Sequence, residues 1–372
     1  MTLYMGLMSG TSLDGIDGVL IDFGSTQGPP ITLREHRHRP FTAALRAELL
    51  ALNAPGDNEL QRSELAANAV ARAYAEVVQE LLQSSAVTAR KVRAIGAHGQ
   101  TVRHRPGEFD GTGFTTQLLN GALLAELSGI DVVCDLRRRD VAAGGQGAPL
   151  ASGLHAALFA VPGQARAVLN LGGIANLTLL GASGGMLGFD CGPANALLDG
   201  WCQRHCGQAF DEGGRWAASG QVIEPLLAAL LAEPYFDMPP PKSTGRDLFH
   251  LVWLDRHLAR HGPGAAPVDV QATLAALTVR SVASDVRRHA GDATLLLVCG
   301  GGARNAQLMR ELATALPGLR VSTTAGFGLP VDQVEGAAFA WLAQCFVERL
   351  PGNIMTVTGA SGGRVLGALY PA

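Results

Sequence analysis

The stretch GTSLDGID at residues 10–17 decides the fold, because it joins two apolar segments. Leu3–Met8 and Ile16–Phe23 are strand candidates, so the polar residues between them predict a β-hairpin. A tight turn of Gly, Ser and Thr presents backbone N–H groups and hydroxyls in one direction, which suits a phosphate. Asp14 and Asp17 add the carboxylate oxygens that Mg²⁺ prefers. A plain hairpin turn explains the same composition, so this motif alone leaves its function open.

Helices and strands alternate after this hairpin. Apolar spacing predicts strands at Ile31–Arg39, Val92–Ala97 and Ile130–Cys134, and helices at Glu59–Gln83, Leu118–Ser128 and Pro149–Phe159.

The layout then restarts with an apolar segment at Ala167–Leu171, a turn at Gly172 and Gly173, and a second apolar segment at Ile174–Leu180. The later predicted elements are a strand at Thr294–Cys299 and helices at Ala194–His205, Asn305–Leu316 and Val334–Arg349. Two halves that each open with a hairpin predict a duplicated α/β fold of two lobes with a cleft between them. We place the N-terminal lobe at residues 1–162 and the C-terminal lobe at residues 163–372.

Composition excludes several classes of protein. The formal net charge of the 372 residues is −3, so no polybasic surface for nucleic acid or anionic lipid is expected. No apolar run reaches the length of a membrane span. Six cysteines without a recognisable secretory leader predict reduced thiols in a cytoplasm. The motifs G-x-G-x-x-G and G-x-x-x-x-G-K-[ST] do not occur, which removes the main support for Rossmann and P-loop folds.

GFDCGPAN at residues 188–195 contains the first candidate catalytic group. Asp190 follows a strand-like segment and precedes Gly192 and a predicted helix. A carboxylate at such a strand end can act as a general base on a hydroxyl or a water. Helix capping by an aspartate explains the same position, so the motif alone does not decide between the two.

Three further motifs suit ligand binding. CGGGARN at residues 299–305 places glycines after a buried strand, where a flat ligand or a phosphate can approach the backbone. HGQT at residues 98–101, with the arginine run at 137–139, offers the directed hydrogen bonds that a sugar needs. KSTGR at residues 242–246 lies in a proline-bounded loop. The alternative interpretations are a structural role for His98, a solvated face for the arginine run and a surface turn for KSTGR.

The order of these motifs resembles the superfamily of actin, hexokinase and the large heat-shock chaperones, the actin-like ATPases with duplicated RNase H-like lobes. Within it, the blocks LMSGTSLDGIDGVLIDF, AIGAHGQTVRH, RRRDVAAGGQGAPL, LNLGGIANLTLL, GFDCGPANALLDGW, PKSTGR, VCGGGARN and ALYPA resemble the anhydro-N-acetylmuramic acid kinases. The blocks run in order from residue 5 to the C-terminus, so the resemblance covers nearly the whole chain.

This resemblance implies a reaction of cell-wall recycling. ATP, water and 1,6-anhydro-N-acetylmuramic acid become ADP and N-acetylmuramic acid 6-phosphate. Asp190 would activate the water that attacks the anomeric carbon, and Glu335 would be a second acidic group at the site. The charge of Glu335 at a helix N-terminus is its simpler explanation. The resemblance also suggests a homodimer.

The remaining roles follow by position. Phosphate binding is assigned to Gly10, Thr11, Ser12, Leu13, Asp14, Gly15, Ile16 and Asp17, and to Gly172 and Gly173. Asp14 is assigned to Mg²⁺. Adenosine is assigned to Gly300, Gly301, Gly302 and Asn305. The sugar-side candidates are His98, Gln100, Thr101, Arg138 and Lys242.

The chain departs from the family pattern at two places. Ala194 stands where glycine is expected, which costs about 1 kcal/mol if the position needs a positive φ and nothing if it is helical. The segment 117–122 reads QLLNGA where QIGNPA is expected.

Two rival functions stay open, a conventional sugar kinase of the same superfold without ring opening and a non-catalytic ATP-binding switch.

Overall fold

The computed structural model describes residues 2–10, 13–24, 31–245 and 248–372. The strands of these residues are Leu3–Met8 (β1), Gly15–Asp22 (β2), Thr32–Pro40 (β3), Val92–Ala97 (β4), Gln100–Pro106 (β5), Gly113–Leu118 (β6), Val132–Cys134 (β7), Arg166–Leu171 (β8), Ile174–Leu180 (β9), Met186–Pro193 (β10), Leu295–Cys299 (β11), Arg320–Thr323 (β12) and Ala368–Tyr370 (β13).

The helices of the same residues are Ala43–Ala51 (α1), Glu59–Ser85 (α2), Gly121–Ser128 (α3), Arg138–Val141 (α4), Ser152–Phe159 (α5), Asn195–Cys206 (α6), Arg215–Ala218 (α7), Glu224–Leu231 (α8), Leu251–His261 (α9), Pro267–His289 (α10), Ala306–Ala315 (α11), Val334–Val347 (α12) and Met355–Thr358 (α13). Helix α3 begins three residues later than predicted, because Leu118 ends strand β6 and Asn120 caps the helix through its side chain.

The chain divides into two compact units. Unit 1 consists of Met1–Leu158 and Gln333–Ala372, and unit 2 consists of Phe159–Asp332. The first predicted boundary, between residues 162 and 163, falls close to the observed division. The C-terminal segment, however, does not belong to the second unit as predicted. Helix α12 packs against β1 and β4 of unit 1, and β13 pairs with β7 of the same unit.

The two units share one strand order. In unit 1, β1, β2 and β3 form an antiparallel meander, while β4 runs parallel to β1 and β7 parallel to β4. In unit 2, β8, β9 and β10 form the meander, while β11 runs parallel to β8 and β12 parallel to β11. The main sheets of the described residues therefore read β13-β7-β4-β1-β2-β3 in unit 1 and β10-β9-β8-β11-β12 in unit 2, while β5 and β6 form a separate two-stranded sheet. This repetition confirms the predicted duplicated α/β architecture.

Strand β1 is apolar throughout because helices cover the sheet on both faces. Its six residues are all buried, the expected pattern for a central strand of such a sheet. Helix α12 approaches this strand so closely that a Cβ on Gly6 would lie 1.8 Å from the carbonyl oxygen of Gly336. This contact fixes the start of α12, which carries Glu335, against the sheet of unit 1. In the described parts of the chain, no helix is long and apolar enough to cross a membrane.

Candidate active site

The turn that opens unit 1 is anchored by a buried leucine. The N–H of Leu13 donates to the carbonyl of Gly10 at 3.3 Å, and Leu13 adopts a φ of 57° with its side chain in the core. Asp14 follows as an exposed residue whose Oδ1 accepts a hydrogen bond from the N–H of Gly15 at 3.0 Å. Thr11 and Ser12, both assigned to phosphate, lie outside the described residues. The described turn thus presents an exposed carboxylate beside a fixed backbone.

The other residues assigned to this hairpin lie on strand β2. The side chain of Ile16 is fully buried, so only its backbone is available to a ligand. Asp17 faces strand β3, where the imidazoles of His36 and His38 contact its Oδ1 at 3.2 and 3.0 Å. Its carboxylate therefore already has two side-chain partners.

His98 and Gln100 support the start of the hairpin from behind. Nδ1 of His98 donates to the carbonyl of Ser9 at 3.0 Å, and Nε2 of Gln100 donates to the carbonyl of Gly10 at 3.0 Å. Both side chains are buried. Burial, with a smaller contribution from the charge of Arg137, holds the pKa of His98 well below its usual value. The sugar contacts assigned to these two residues stay predictions, since every hydrogen bond described for Gln100 and the Nδ1 bond of His98 run to backbone.

Thr101 and Arg138 lie nearer to the surface of unit 1. Oγ1 of Thr101 accepts a hydrogen bond from Nε2 of Gln117 at 3.2 Å, which ties it to one of the segments that departs from the family pattern. Arg138 is 62% exposed, and its Nε lies 3.4 Å from the carbonyl of Thr115. Exposed and half-buried hydrogen-bonding groups of this kind suit a polar ligand better than the buried pair His98 and Gln100.

Asp135 is a candidate that sequence reasoning missed. It follows β7 with a φ of 56°, a conformation that few residues other than glycine adopt. Burial raises the pKa of its carboxyl group, and Arg138, 3.6 Å away, partly offsets that rise. Strained backbone and a raised carboxyl pKa together are typical of functional sites. Its position directly after a strand is the signal that could have identified it.

The arginine and glycine segment that follows is fixed by a buried carboxylate. Asp140 accepts hydrogen bonds from the N–H of Gly147 at 2.7 Å, from Nδ2 of Asn353 at 2.7 Å and from Oγ1 of Thr358 at 2.8 Å. Residues 137–147 are thereby attached to the C-terminal segment within unit 1. This attachment explains why part of the segment is buried, whereas Arg138 and Arg139 are exposed.

In unit 2 the second glycine turn closes the start of helix α6. The carbonyl of Gly173 accepts hydrogen bonds from the N–H groups of Ala194 and Ala196, and the carbonyl of Gly172 accepts one from Asn195. Ala194 has a φ of −130°, so this position does not need the positive φ that would favour glycine. Gly192 does need it, with a φ of 140° and a would-be Cβ only 2.6 Å from Cε1 of Phe236.

The late glycine turn packs directly on the end of β8. Gly300 has a φ of 79°, and a Cβ there would lie 2.3 Å from Oδ1 of Asn170. A Cβ on Gly302 would lie 2.5 Å from that of Leu171, whose carbonyl also accepts a hydrogen bond from Nδ2 of Asn195 at 2.9 Å. Both glycine motifs of unit 2 therefore meet at one end of its sheet.

Asn305 has a local structural role. Its Oδ1 accepts hydrogen bonds from the N–H groups of Gln307 and Leu308, both at 3.1 Å, and so caps helix α11. The adenosine contact assigned to Asn305 stays a prediction. Because Oδ1 already caps the helix, such a contact would use other atoms of this residue.

Asp190 lies on strand β10 with its carboxylate held at both oxygens. Oδ1 accepts a hydrogen bond from Nδ2 of Asn176 at 2.9 Å, and Oδ2 accepts one from the N–H of Thr244 at 3.0 Å. The residue is half-buried. An ionised carboxylate accepts both bonds, so the arrangement suits a base more than an acid. Glu335 lies in the first turn of α12 and is also half-buried.

Lys242 does not reach a ligand surface. Its side chain is 1% exposed, and Nζ lies 3.5 Å from Oδ2 of Asp285. The ammonium also lies over the rings of Tyr235 and Phe189, 5.1 and 5.7 Å from their centroids. The predicted sugar contact of Lys242 is therefore wrong, because burial against aromatic rings and an aspartate satisfies its charge inside unit 2.

The chain has two α/β units with the same strand order, and each unit has a glycine turn between its first two strands. These features define the actin-like ATPase fold class. The sequence model of the family described as "Anhydro-N-acetylmuramic acid kinase" matches residues 2–372, and the chain belongs to this family.

The chain is 60% identical over 370 residues to a protein of Cupriavidus pinatubonensis (strain JMP 134 / LMG 1197) named anhydro-N-acetylmuramic acid kinase, covering 99% of this chain and 98% of the relative. It is also 60% identical over 375 residues to the protein of that name from Variovorax paradoxus (strain S110), covering 100% and 99% of the two chains. Among solved structures, the activator of the 2-hydroxyisocaproyl-CoA dehydratase from Clostridium difficile with bound ADPNP aligns with a TM-score of 0.48 at 15% identity, covering 95% of this chain and 99% of that one.

Proposed function

We propose that the protein is an ATP-dependent kinase that converts 1,6-anhydro-N-acetylmuramic acid and water into N-acetylmuramic acid 6-phosphate. The observation that carries this proposal is the family match over residues 2–372, which includes every candidate site motif. The chemistry of Asp190 also supports the proposal, because its half-buried carboxylate accepts hydrogen bonds from two donors.

Asp190 is the base of the proposed reaction. It removes a proton from a water molecule, whose oxygen forms a bond to C1 of the sugar while the bond between C1 and O6 breaks. O6 then forms a bond to the γ-phosphorus of ATP, and ADP leaves with the electron pair of the bond that breaks. The proton returns from Asp190 to solvent, so the base is regenerated. Positioning and charge neutralisation dominate the phosphoryl transfer itself.

The turns of both units are the proposed phosphate contacts. Residues 10–17 and the pair Gly172 and Gly173 would bind the phosphates of ATP, and Gly300–Gly302 would lie against adenosine. A would-be Cβ on Gly172 would make only ordinary van der Waals contacts, the nearest at 3.6 Å to the carbonyl oxygen of Ile174. A ligand can therefore approach the backbone there.

Asp14 is the proposed ligand of Mg²⁺. Its carboxylate is exposed and offers the hard oxygen that Mg²⁺ prefers, so the described residue fits the ion. When bound, Mg²⁺ supplies neutralisation of phosphate charge. The part of Asp14 is to hold the ion beside the hairpin backbone.

Thr101 and Arg138 are the proposed sugar-side groups nearer to the surface of unit 1, and His98 and Gln100 are the buried candidates. Glu335 is proposed as the second acidic group of the site. Arg138 carries a planar donor fork that suits the carboxylate of a muramic acid. We further propose a homodimer that works in the cytoplasm. The six cysteines, all free thiols, are consistent with a reducing compartment. Light scattering of the purified chain tests the oligomer.

One experiment separates this function from its rivals. ADP release is measured with and without 1,6-anhydro-N-acetylmuramic acid in ¹⁸O-labelled water, and the product is analysed by mass spectrometry. Sugar-dependent ADP release with ¹⁸O on C1 is expected. Phosphorylation without ¹⁸O on C1 would indicate a conventional sugar kinase. ATP binding without sugar-dependent ADP release would indicate a non-catalytic switch.

A further inference from the structure

Two donors on different elements of unit 2 hold the carboxylate of Asp190. Nδ2 of Asn176 on β9 lies 2.9 Å from Oδ1, and the backbone nitrogen of Thr244 lies 3.0 Å from Oδ2. Hydrogen bonds to separate oxygens fix both the position and the plane of a carboxylate. Resting on the proposed function, we infer that Asn176 is a positioning residue that, together with the Thr244 amide, orients Asp190 for proton abstraction.

Asn176 is held rigidly enough for this role. Strand β9 lies between β8 and β10, and in the register Asn176 is opposite Asp190 on one side and Asn170 on the other. The neighbouring Ala175 and Leu177 are fully buried in the core of unit 2. A donor on a central strand is positioned more precisely than one on a loop.

The second donor lies on a loop, but a buried charge anchors that loop. The carbonyl of Lys242 accepts a hydrogen bond from the N–H of Asp190 at 3.0 Å. The ammonium of Lys242 is paired with Asp285 of α10 at 3.5 Å. Thr244 lies two residues further along the chain, so the ion pair restrains the backbone that carries its N–H.

A phenol completes the support of Asp190. The hydroxyl of Tyr235 donates to the backbone carbonyl of Asp190 at 2.7 Å, and the ammonium of Lys242 lies over the Tyr235 ring. Burial, together with the nearby carboxylates of Asp190 and Asp285, raises the pKa of Tyr235, so this hydroxyl stays a donor. Backbone and side chain of Asp190 are thus fixed independently.

Both donors suit a carboxylate that acts as a base. Each carboxylate oxygen can accept two hydrogen bonds, and Asn176 and Thr244 each donate one. Both donors are neutral and favour the ionised form that accepts their bonds. A general base must be ionised and within hydrogen-bond reach of the proton that it removes.

The variant Asn176→Leu tests the inference, because it removes the amide while keeping a side chain that branches at Cγ. We expect kcat for the anhydro-sugar to fall roughly 10- to 100-fold, the loss typical of a misplaced catalytic group, with the KM for ATP unchanged. The acid limb of the kcat–pH profile should move to higher pH, because loss of a donor disfavours the ionised carboxylate.

Thr178→Val is the matched control. Thr178 is buried on the same strand two residues further on, where the register places it opposite Gly188 instead of Asp190. It should keep the wild-type kcat and pH profile. Equal losses in both variants, with equally lowered melting temperatures, would overturn the inference in favour of a weakened strand. An Asn176→Leu enzyme with wild-type kcat and an unmoved acid limb would overturn it as well.

A second measurement does not depend on turnover. The ¹³C carboxyl resonance of Asp190, identified by its loss in Asp190→Asn, is titrated in the wild type and in Asn176→Leu. A higher titration midpoint in Asn176→Leu is expected, and an unchanged midpoint overturns the inference even if the wild type is active. If the wild type does not turn over the sugar while the midpoint still rises, the proposed function fails and the orienting contact stands.

Discussion

The guanidinium of Arg137 donates two hydrogen bonds to Nε2 of His98, from Nε at 3.1 Å and from Nη2 at 3.0 Å. Since arginine is only a donor, Nε2 must carry a lone pair, and the ring proton lies on Nδ1 where it meets the carbonyl of Ser9. A protonated ring would lose both arginine contacts. His98 is therefore neutral, and it links the residue before the first turn to the arginine segment.

This link predicts an acid-sensitive stability. The folded-state pKa of His98 lies well below 6.5, and burial lowers that of His155 to about 4. The unfolded state thus binds more protons below pH 6.5, so stability is complete above that pH and falls as the pH drops toward the folded values. The free energy of unfolding should fall by about 1.4 kcal/mol per pH unit for each of these histidines. Urea denaturation at pH 7.5, 6 and 5 measures it.

His98→Gln should reduce the slope of the free energy of unfolding against pH by the contribution of one histidine. His261→Gln is the control, because His261 is exposed at the end of α9 and should leave the slope as it is. A slope unchanged by His98→Gln would contradict the neutral assignment.

Loss of the proposed base should abolish turnover. Asp190→Asn keeps the size of the side chain but cannot accept the proton of a water, so sugar-dependent ADP release should fall roughly 100-fold or more while ATP binding is retained. Calorimetric titration of ATP and the coupled ADP assay measure the two effects. Asp292→Asn changes an exposed carboxylate of the same unit and should behave as wild type. Turnover retained in Asp190→Asn would exclude Asp190 as the base.

The buried ion pair should contribute little to net stability, although breaking it is costly. Lys242→Met leaves Asp285 charged and buried, so we expect a loss of about 3–5 kcal/mol in the free energy of unfolding. The double variant Lys242→Met, Asp285→Leu removes both charges and should recover most of that loss. Urea denaturation of the wild type, of the single variants Lys242→Met and Asp285→Leu, and of the double variant gives the coupling energy. A double variant as unstable as the sum of both single variants would show that the two side chains do not act as a pair.

Substitution of Gly192 by alanine should destabilise the protein more than the same substitution at a glycine that also has a positive φ but has open space around it. Gly192→Ala combines a positive φ with contact to Phe236, and about 2 kcal/mol of destabilisation is expected, more than the roughly 1 kcal/mol for φ alone. Gly207→Ala is the comparison, because Gly207 has a φ of 69° with nothing within 4 Å of a would-be Cβ. Thermal melting ranks the two. Equal losses of stability in the two variants would indicate that the positive φ accounts for the whole destabilisation by Gly192→Ala.

Local patterns predicted the elements that form the centre of each sheet. Strands β1, β4 and β9 have the predicted bounds. Strand β1 shows the reason most clearly, because a strand buried on both faces reads as an uninterrupted apolar run. The two hairpin turns, the glycines after β11 and the start of α12 were likewise readable from neighbouring residues. The roles assigned to them in binding ATP remain predictions.

Helix α10 was not predicted, and its surroundings explain why. Most of its residues are buried, including the polar Gln271, Thr273, Thr278, Ser281 and Asp285, so no one-sided apolar pattern is present. Thr278 donates to the carbonyl of Pro193 and Asp285 pairs with Lys242. These partners are far away in sequence, so only the folded chain shows how Thr278 and Asp285 are paired.

The sequence by itself determined the duplicated arrangement of hairpins and glycine turns, because strand alternation and turn residues act over a few neighbouring positions. Only the tertiary structure decided that Lys242 faces the interior and that His98 is fixed by Arg137. It also decided that Gln333–Ala372 belongs to unit 1 and that Asn176 holds Asp190. Each of these depends on a pairing between residues distant in the chain, which no local period encodes.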